Sequence, residues 1–80
     1  MQIECMKPIV LSRHCKEEMI IRSITKEDIE NAIISPDKTK KGGNNATVVW
    51  KKMNNDGLKV IYIEQEKRIF VITAYPKLSI

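Results

Sequence analysis

Residues 11–34 limit what this chain can fold into more than any other stretch, because they carry two helix starts and run into a hard stop. Thr25-Lys26-Glu27-Asp28 has the form of a capping box. In that motif a Thr hydroxyl accepts the N–H three residues on, and the acidic side chain there accepts the N–H of the cap. Ile24 before the cap and Ile29 after it have the spacing of a hydrophobic staple. Ile29, Ala32 and Ile33 line one face of the helix that follows, and Ile34 widens it. Ser35-Pro36 ends it, since a residue before proline avoids the helical region. Upstream, Ser12 is a good N-cap for an earlier helix. In that helix Cys15, Met19 and Arg22 share a face, with Ile20 at its edge. The reading is two consecutive short helices with a corner at residues 23–25.

The rest reads as loop and strand. In residues 1–11 Ile3 and Cys5 alternate with polar residues and Ile9-Val10-Leu11 is apolar, so a short edge strand ended or bent by Pro8 is expected. Residues 35–46 read as one long flexible loop, rich in lysine, glycine and asparagine. Strands are predicted over residues 47–52, 58–64 and 69–75. The second alternates Leu58, Val60 and Tyr62 against Lys59, Ile61 and Ile63. The third is apolar on both faces, which suits a central strand. Asn54-Asn55-Asp56-Gly57 is a hairpin signal between the first two, and Gln65-Glu66-Lys67-Arg68 is the second turn. Pro76 ends the last strand. The expected fold is α+β: two N-terminal helices packed on an antiparallel sheet of three to four strands.

Eighty residues make a single domain, residues 1–80, with a core small enough that homodimerisation or a tight partner is a natural source of extra stability. A hydrophobic fraction of 42% and a charged fraction of 30% exclude a disordered chain. No apolar run approaches the ~18 residues of a membrane span, and the N-terminus lacks the apolar core of a signal peptide. A cytoplasmic location is expected, with no membrane partner. Residues 1–35 carry five basic against six acidic side chains, whereas residues 36–59 carry six lysines against Asp37 and Asp56. The positive field therefore sits in the middle of the chain, which suits RNA or an acidic protein as well as a merely solvated surface. Cys5 and Cys15 form no disulfide framework, and with His14 they lack the spacing and the fourth group of a zinc site. No metal and no cofactor are expected.

Cleaving RNA through its own 2′-hydroxyl requires a base, cations on the phosphate and an acid for the leaving oxygen. His14 is a candidate base or acid, Arg22 a forked phosphate donor, and Tyr75 an acid or binder. Lys38, Lys40, Lys41, Lys51 and Lys52 are candidates for the RNA backbone, with Trp50 as a stacking platform. Each has a plainer role open to it. His14 can be a first-turn hydrogen bonder, Arg22 a partner of Glu18 on its own helix, Tyr75 a strand end, and Trp50 a core filler. No nucleophile elbow surrounds any serine.

Leu11-Ser12-Arg13-His14-Cys15, Met19, Arg22-Ser23-Ile24-Thr25 and the later Ile29, Ile33 and Pro36 resemble the signature of a small bacterial and archaeal family of domains of unknown function. That signature runs Ser/Thr-x-His-Ala-x-x-Arg-Met-x-x-Arg-Gly-Ile, followed by a helix, a proline and a closing strand like residues 69–75. The family is similar to the RelE/MqsR/barnase-like toxin ribonucleases. The resemblance implies a RelE/barnase-like fold, a metal-independent endoribonuclease of a toxin–antitoxin system, and an antitoxin-like partner. His14, Arg22, Thr73 and Tyr75 match the pattern. Glu18 stands at its first arginine, Cys15 at its alanine and Ser23 at its glycine. The alternative is a non-catalytic RNA- or protein-binding module, which the carboxylate of Glu18 favours because it would repel a scissile phosphate.

Overall fold

A computed structural model describes residues 8–53 and 57–77. Its elements in chain order are β1 (Ile9–Leu11), α1 (Arg13–Arg22), α2 (Lys26–Ile34), β2 (Lys38–Lys41), β3 (Ala46–Lys52), β4 (Gly57–Glu64) and β5 (Ile69–Pro76). The five strands form one sheet in the order β1-β5-β4-β3-β2. β1 runs parallel to β5, and the other neighbours are antiparallel.

This mixed sheet corrects the expected antiparallel sheet of three to four strands, and with it the RelE/barnase-like fold class. The sequence reads as loop at one strand, β2, and does not foretell the parallel pairing of the short edge strand β1, each for a physical reason. β2 lies inside residues 35–46, taken as loop, and its Lys-Thr-Lys-Lys is exposed throughout, so hydrophobic alternation has nothing to report. β1 is three residues long, and its partner β5 stands far along the chain, with Ile9 against Ile69 and Leu11 against Val71. Pro8 precedes this strand rather than ending it, which leaves the N–H groups of residues 9–11 available. Ile3, Cys5, the hairpin tip at residues 54–56 and the tail at 78–80 lie outside the described residues.

The local helix signals hold. The Ser12 hydroxyl accepts from the Cys15 N–H at 3.0 Å, and Thr25 and Asp28 form the reciprocal capping box. Between them Ser23 adopts the left-handed conformation, φ 57°, that turns the chain from α1 into α2. α1 buries only Cys15, and Ile20 and Ile21 are 81% and 71% exposed, so this helix is less amphipathic than its spacing promised.

Both helices cover the same face of the sheet, α1 over β5 and α2 over β4 and β3. Cys15, Ile29 and Ala32 meet Val49, Leu58, Val60, Tyr62, Ile69, Val71 and Ala74 in one core, and no polar residue among the described ones is buried in it. Burying such side chains is the main favourable term for a domain this small.

The β2–β3 hairpin closes through the Ala46 N–H, which donates to the Gly43 carbonyl at 3.0 Å, with Asn44 at φ 55° and Asn45 at φ 66° between them. Two central residues with positive φ make a type I′ turn, the form whose twist matches a hairpin. Asn45→Gly, which supplies the favoured Asn-Gly pair, is expected to raise stability by about 0.5 kcal/mol. Asn45→Val is expected to lower it by roughly 1–2 kcal/mol through left-handed strain. Urea midpoints at constant slope would check both.

Candidate nucleic-acid interface

Side chains alternate across a strand, so fixing the covered face also fixes the other. Val49, Val60 and Ala74 are in register with one another and face the helices. Their neighbours therefore point to the uncovered face. Across it run three rows: Val10–Phe70–Ile63–Ala46, then Thr73–Ile61–Val48–Lys40, then Tyr75–Lys59–Trp50–Lys38. The third row alternates ring and cation over four strands. The Lys59 ammonium lies 5.4 Å from the centroid of Tyr75, and that of Lys38 lies 5.6 Å from Trp50. Arg68 adds a third such pair, 5.9 Å over Phe70. Cations over aromatic faces attract one another by roughly 0.5–1 kcal/mol where solvent reaches them. By this alternation none of the described carboxylate-bearing strand residues points to the uncovered face.

Trp50 is only 7% exposed. Its indole lies against the backbone of Gly57, and its Nε1–H donates to the Lys77 carbonyl at 2.8 Å. One ring is thus held between glycine and lysine and has little surface left on which a base could stack. Tyr75 and Phe70 are half-buried and keep more of theirs.

The sequence candidates divide between the two faces. Lys38, Lys40, Trp50, Lys52 and Tyr75 belong to the uncovered face, whereas Lys41 and Lys51 alternate to the helix side. Lys51 Nζ donates to the Ser35 carbonyl at 3.0 Å, at the end of α2. His14 is exposed in the first turn of α1, and Arg22 is in its last. Eight residues of helix separate the two by about 12 Å of rise. The Arg22 Nε stands 3.3 Å from Glu18 Oε1, with side-chain exposures of 51% and 20%. Arg22 also borders a shallow hollow with Asp28, Met53, Leu58 and Pro76. The geometry therefore groups Tyr75 with lysines and leaves His14 and Arg22 on α1, behind the sheet.

Sequence reasoning missed Lys59, Arg68 and Phe70 as members of this face. The signal was available for Lys59, which alternates with Leu58 and Val60 in the strand pattern. Its neighbour Tyr75 required the β4–β5 register, which the sequence does not state.

Among the described residues no group of three or more potential metal ligands is gathered. Cys15 is a free, fully buried thiol, and burial pushes its pKa above the ordinary value. It is a core side chain, not a nucleophile. The Tyr62 phenol is also pushed up, first by burial and then by the charge of Glu64. No helix among the described residues is long and apolar enough to cross a membrane.

A family model for a domain of unknown function, DUF4258, matches residues 11–76, so the chain belongs to that family. No curated protein and no solved structure matches it.

Proposed function

We propose that this DUF4258 member binds single-stranded RNA across the uncovered face of its sheet. The observation that carries the reading is the row Tyr75–Lys59–Trp50–Lys38, which sets rings and cations alternately over four strands with no carboxylate among them. Single strands are held without sequence preference by that pairing: cations follow the phosphates and exposed rings take the bases. Tyr75 and Phe70 supply the stacking surface, and Lys38, Lys40, Lys52 and Lys59 supply the charge.

The test is fluorescence anisotropy with a labelled twelve-nucleotide single-stranded RNA in EDTA. Tyr75→Ala is expected to weaken binding about tenfold, within the range of one lost base stack. Lys38→Ala with Lys59→Ala is expected to flatten the slope of log K against log salt by about 1.4, at roughly 0.7 per phosphate contact. Lys26→Ala, at the start of α2, should change neither. Binding that ignores Tyr75 and Lys59, or no binding by the folded protein, would remove the proposal.

The second reading is a metal-independent endoribonuclease of the toxin type, with an antitoxin-like protein as its partner. One observation favours it: the Lys59 ammonium stands beside the Tyr75 phenol on the same face. Cleavage through the 2′-hydroxyl needs a cation for the phosphate and a proton donor for the leaving oxygen, which this pair can supply. It also needs a base to take the hydroxyl proton, the part for which His14 is the candidate by the family resemblance. The same RNA, incubated in EDTA, should then yield 2′,3′-cyclic phosphate ends, lost in Tyr75→Phe. His14→Ala and Arg22→Ala belong in the same assay, since the family resemblance assigns them to the chemistry. Intact RNA after binding by wild type would leave the binding module alone.

A further inference from the structure

β2 is the outer strand of the sheet on the side away from β1, and among the described residues it is hydrogen-bonded to β3 and to no other strand. All four of its residues are exposed, and its register with β3 is regular from Lys38 against Trp50 to Lys41 against Thr47. Just beyond it, the Gly42 N–H donates to the Ala46 carbonyl at 2.8 Å, which makes residues 42 and 46 a hydrogen-bonded pair. Antiparallel ladders alternate such pairs. The backbone groups of Lys38 and Lys40 therefore face β3, and those of Thr39 and Lys41 face outward.

The strand is also held ready at both ends. Asp37 donates its N–H to the Trp50 carbonyl at 2.8 Å and accepts the Lys52 N–H on its carboxylate at 2.7 Å. The type I′ turn fixes the other end. A preformed edge of this kind costs an arriving strand less ordering than a loose one.

We infer that the free edge of β2 is a docking strand for an acidic, extended segment of a partner protein, which adds to the sheet beside Thr39 and Lys41. The main-chain groups of Thr39 and Lys41 supply the pairing, and the three lysines select the charge. Lys38 and Lys40 project on the uncovered face and Lys41 on the helix face, so glutamates on either side of an incoming strand meet a cation. A second copy of this chain is the poorer occupant, because it would set three lysines against three lysines at strand distance. Lysines on an edge also repel unselected strands, and an acidic one is what converts that repulsion into attraction. The inference differs from the RNA reading in using the backbone groups on the rim of the sheet, although it shares Lys38 and Lys40 with it.

The probe is a fluorescein-labelled ten-residue peptide of alternating glutamate and threonine, added to the full chain. Binding is expected, with amide hydrogen exchange at Thr39 and Lys41 slowed at least tenfold in the complex while Lys38 and Lys40 change little. Replacing the glutamates by glutamine should weaken binding about tenfold, and so should N-methylation of alternate peptide bonds on the pairing side. Thr39→Pro removes one outward N–H without touching the β3 ladder and should also cost about tenfold. Unchanged Trp50 emission in that variant would show that the sheet is intact. Binding indifferent to N-methylation and to Thr39→Pro would reduce the contact to simple charge attraction and overturn the inference, as would no binding at millimolar peptide. Loss of RNA binding on Tyr75→Ala with the peptide still bound would show the two surfaces to be separate.

Discussion

Gly57→Ala is expected to unseat Trp50 and to cost about 3 kcal/mol of stability, the upper part of the range for overpacking a filled site. The glycine is not there for its backbone freedom, since no described glycine has a positive φ. It is there because it lacks a side chain. A Cβ built on Gly57 would fall inside the indole of Trp50, against Cε2, Cζ2 and Nε1. Those are ring atoms of a buried side chain, which cannot yield by a small rotation. The ring has to leave, and with it goes the Nε1–H bond to the Lys77 carbonyl. That bond works beside the Lys77 N–H, which donates to the Gly57 carbonyl at 2.9 Å, so the end of β5 would loosen from β4 as well.

Trp50 is the only tryptophan, so its emission reads the event directly. Gly57→Ala should shift it to the red as water reaches the ring, and should lower the melting temperature by about 15 °C for a domain of this size. The paired variant Gly57→Ala with Trp50→Leu should recover part of the loss, because the methyl then meets a smaller neighbour. A double-mutant cycle would give that coupling. A Gly57→Ala protein with native emission and stability within 0.5 kcal/mol would mean that the indole is not held where it is described.

What was legible in the sequence was local. The Thr25–Asp28 box and the Ser12 cap each close within three residues, so pattern and structure cannot easily disagree. β3, β4 and β5 announced themselves because one of their faces is apolar. β2 has no apolar face, and β1 is too short for a period, so the size and sense of the sheet depended on pairings that the sequence does not state. The candidate site follows the same rule. The charge of the middle of the chain was visible, but not its division between faces, which sends Lys51 to Ser35 and Lys38 to Trp50. The burial of Trp50 depended on the absent Cβ of Gly57 and on the carbonyl of Lys77, both distant in sequence. The placing of His14 and Arg22 on α1 and of Tyr75 on the uncovered face of β5 likewise depended on the fold and not on the local pattern.

Ser12→Ala carries the second large effect, because this one hydroxyl joins a local signal to a distant one. It accepts the Cys15 N–H as the cap of α1, and it donates to the Ile72 carbonyl at 2.6 Å. Ile72 is where β5 bulges: Ile61 pairs with Thr73 and Tyr62 with Val71, which leaves Ile72 without a partner on β4. The Ser12 N–H meanwhile donates to the Val71 carbonyl at 3.0 Å. Alanine would remove a cap worth about 1 kcal/mol and leave a half-buried carbonyl unpaired at about 1–2 kcal/mol more. The expected loss is about 2–3 kcal/mol, or roughly 10–20 °C in melting temperature. Ser12→Gly separates the two parts, since glycine caps nearly as well yet offers nothing to Ile72. It should show most of the carbonyl cost and little of the helix cost. Ser12→Thr keeps the hydroxyl and should stay within about 0.5 kcal/mol of wild type. If Ser12→Gly proved as stable as Ser12→Thr, the bulge would not depend on the serine hydroxyl, and α1 would be joined to β5 by the Ser12 N–H bond to Val71 and by side-chain packing.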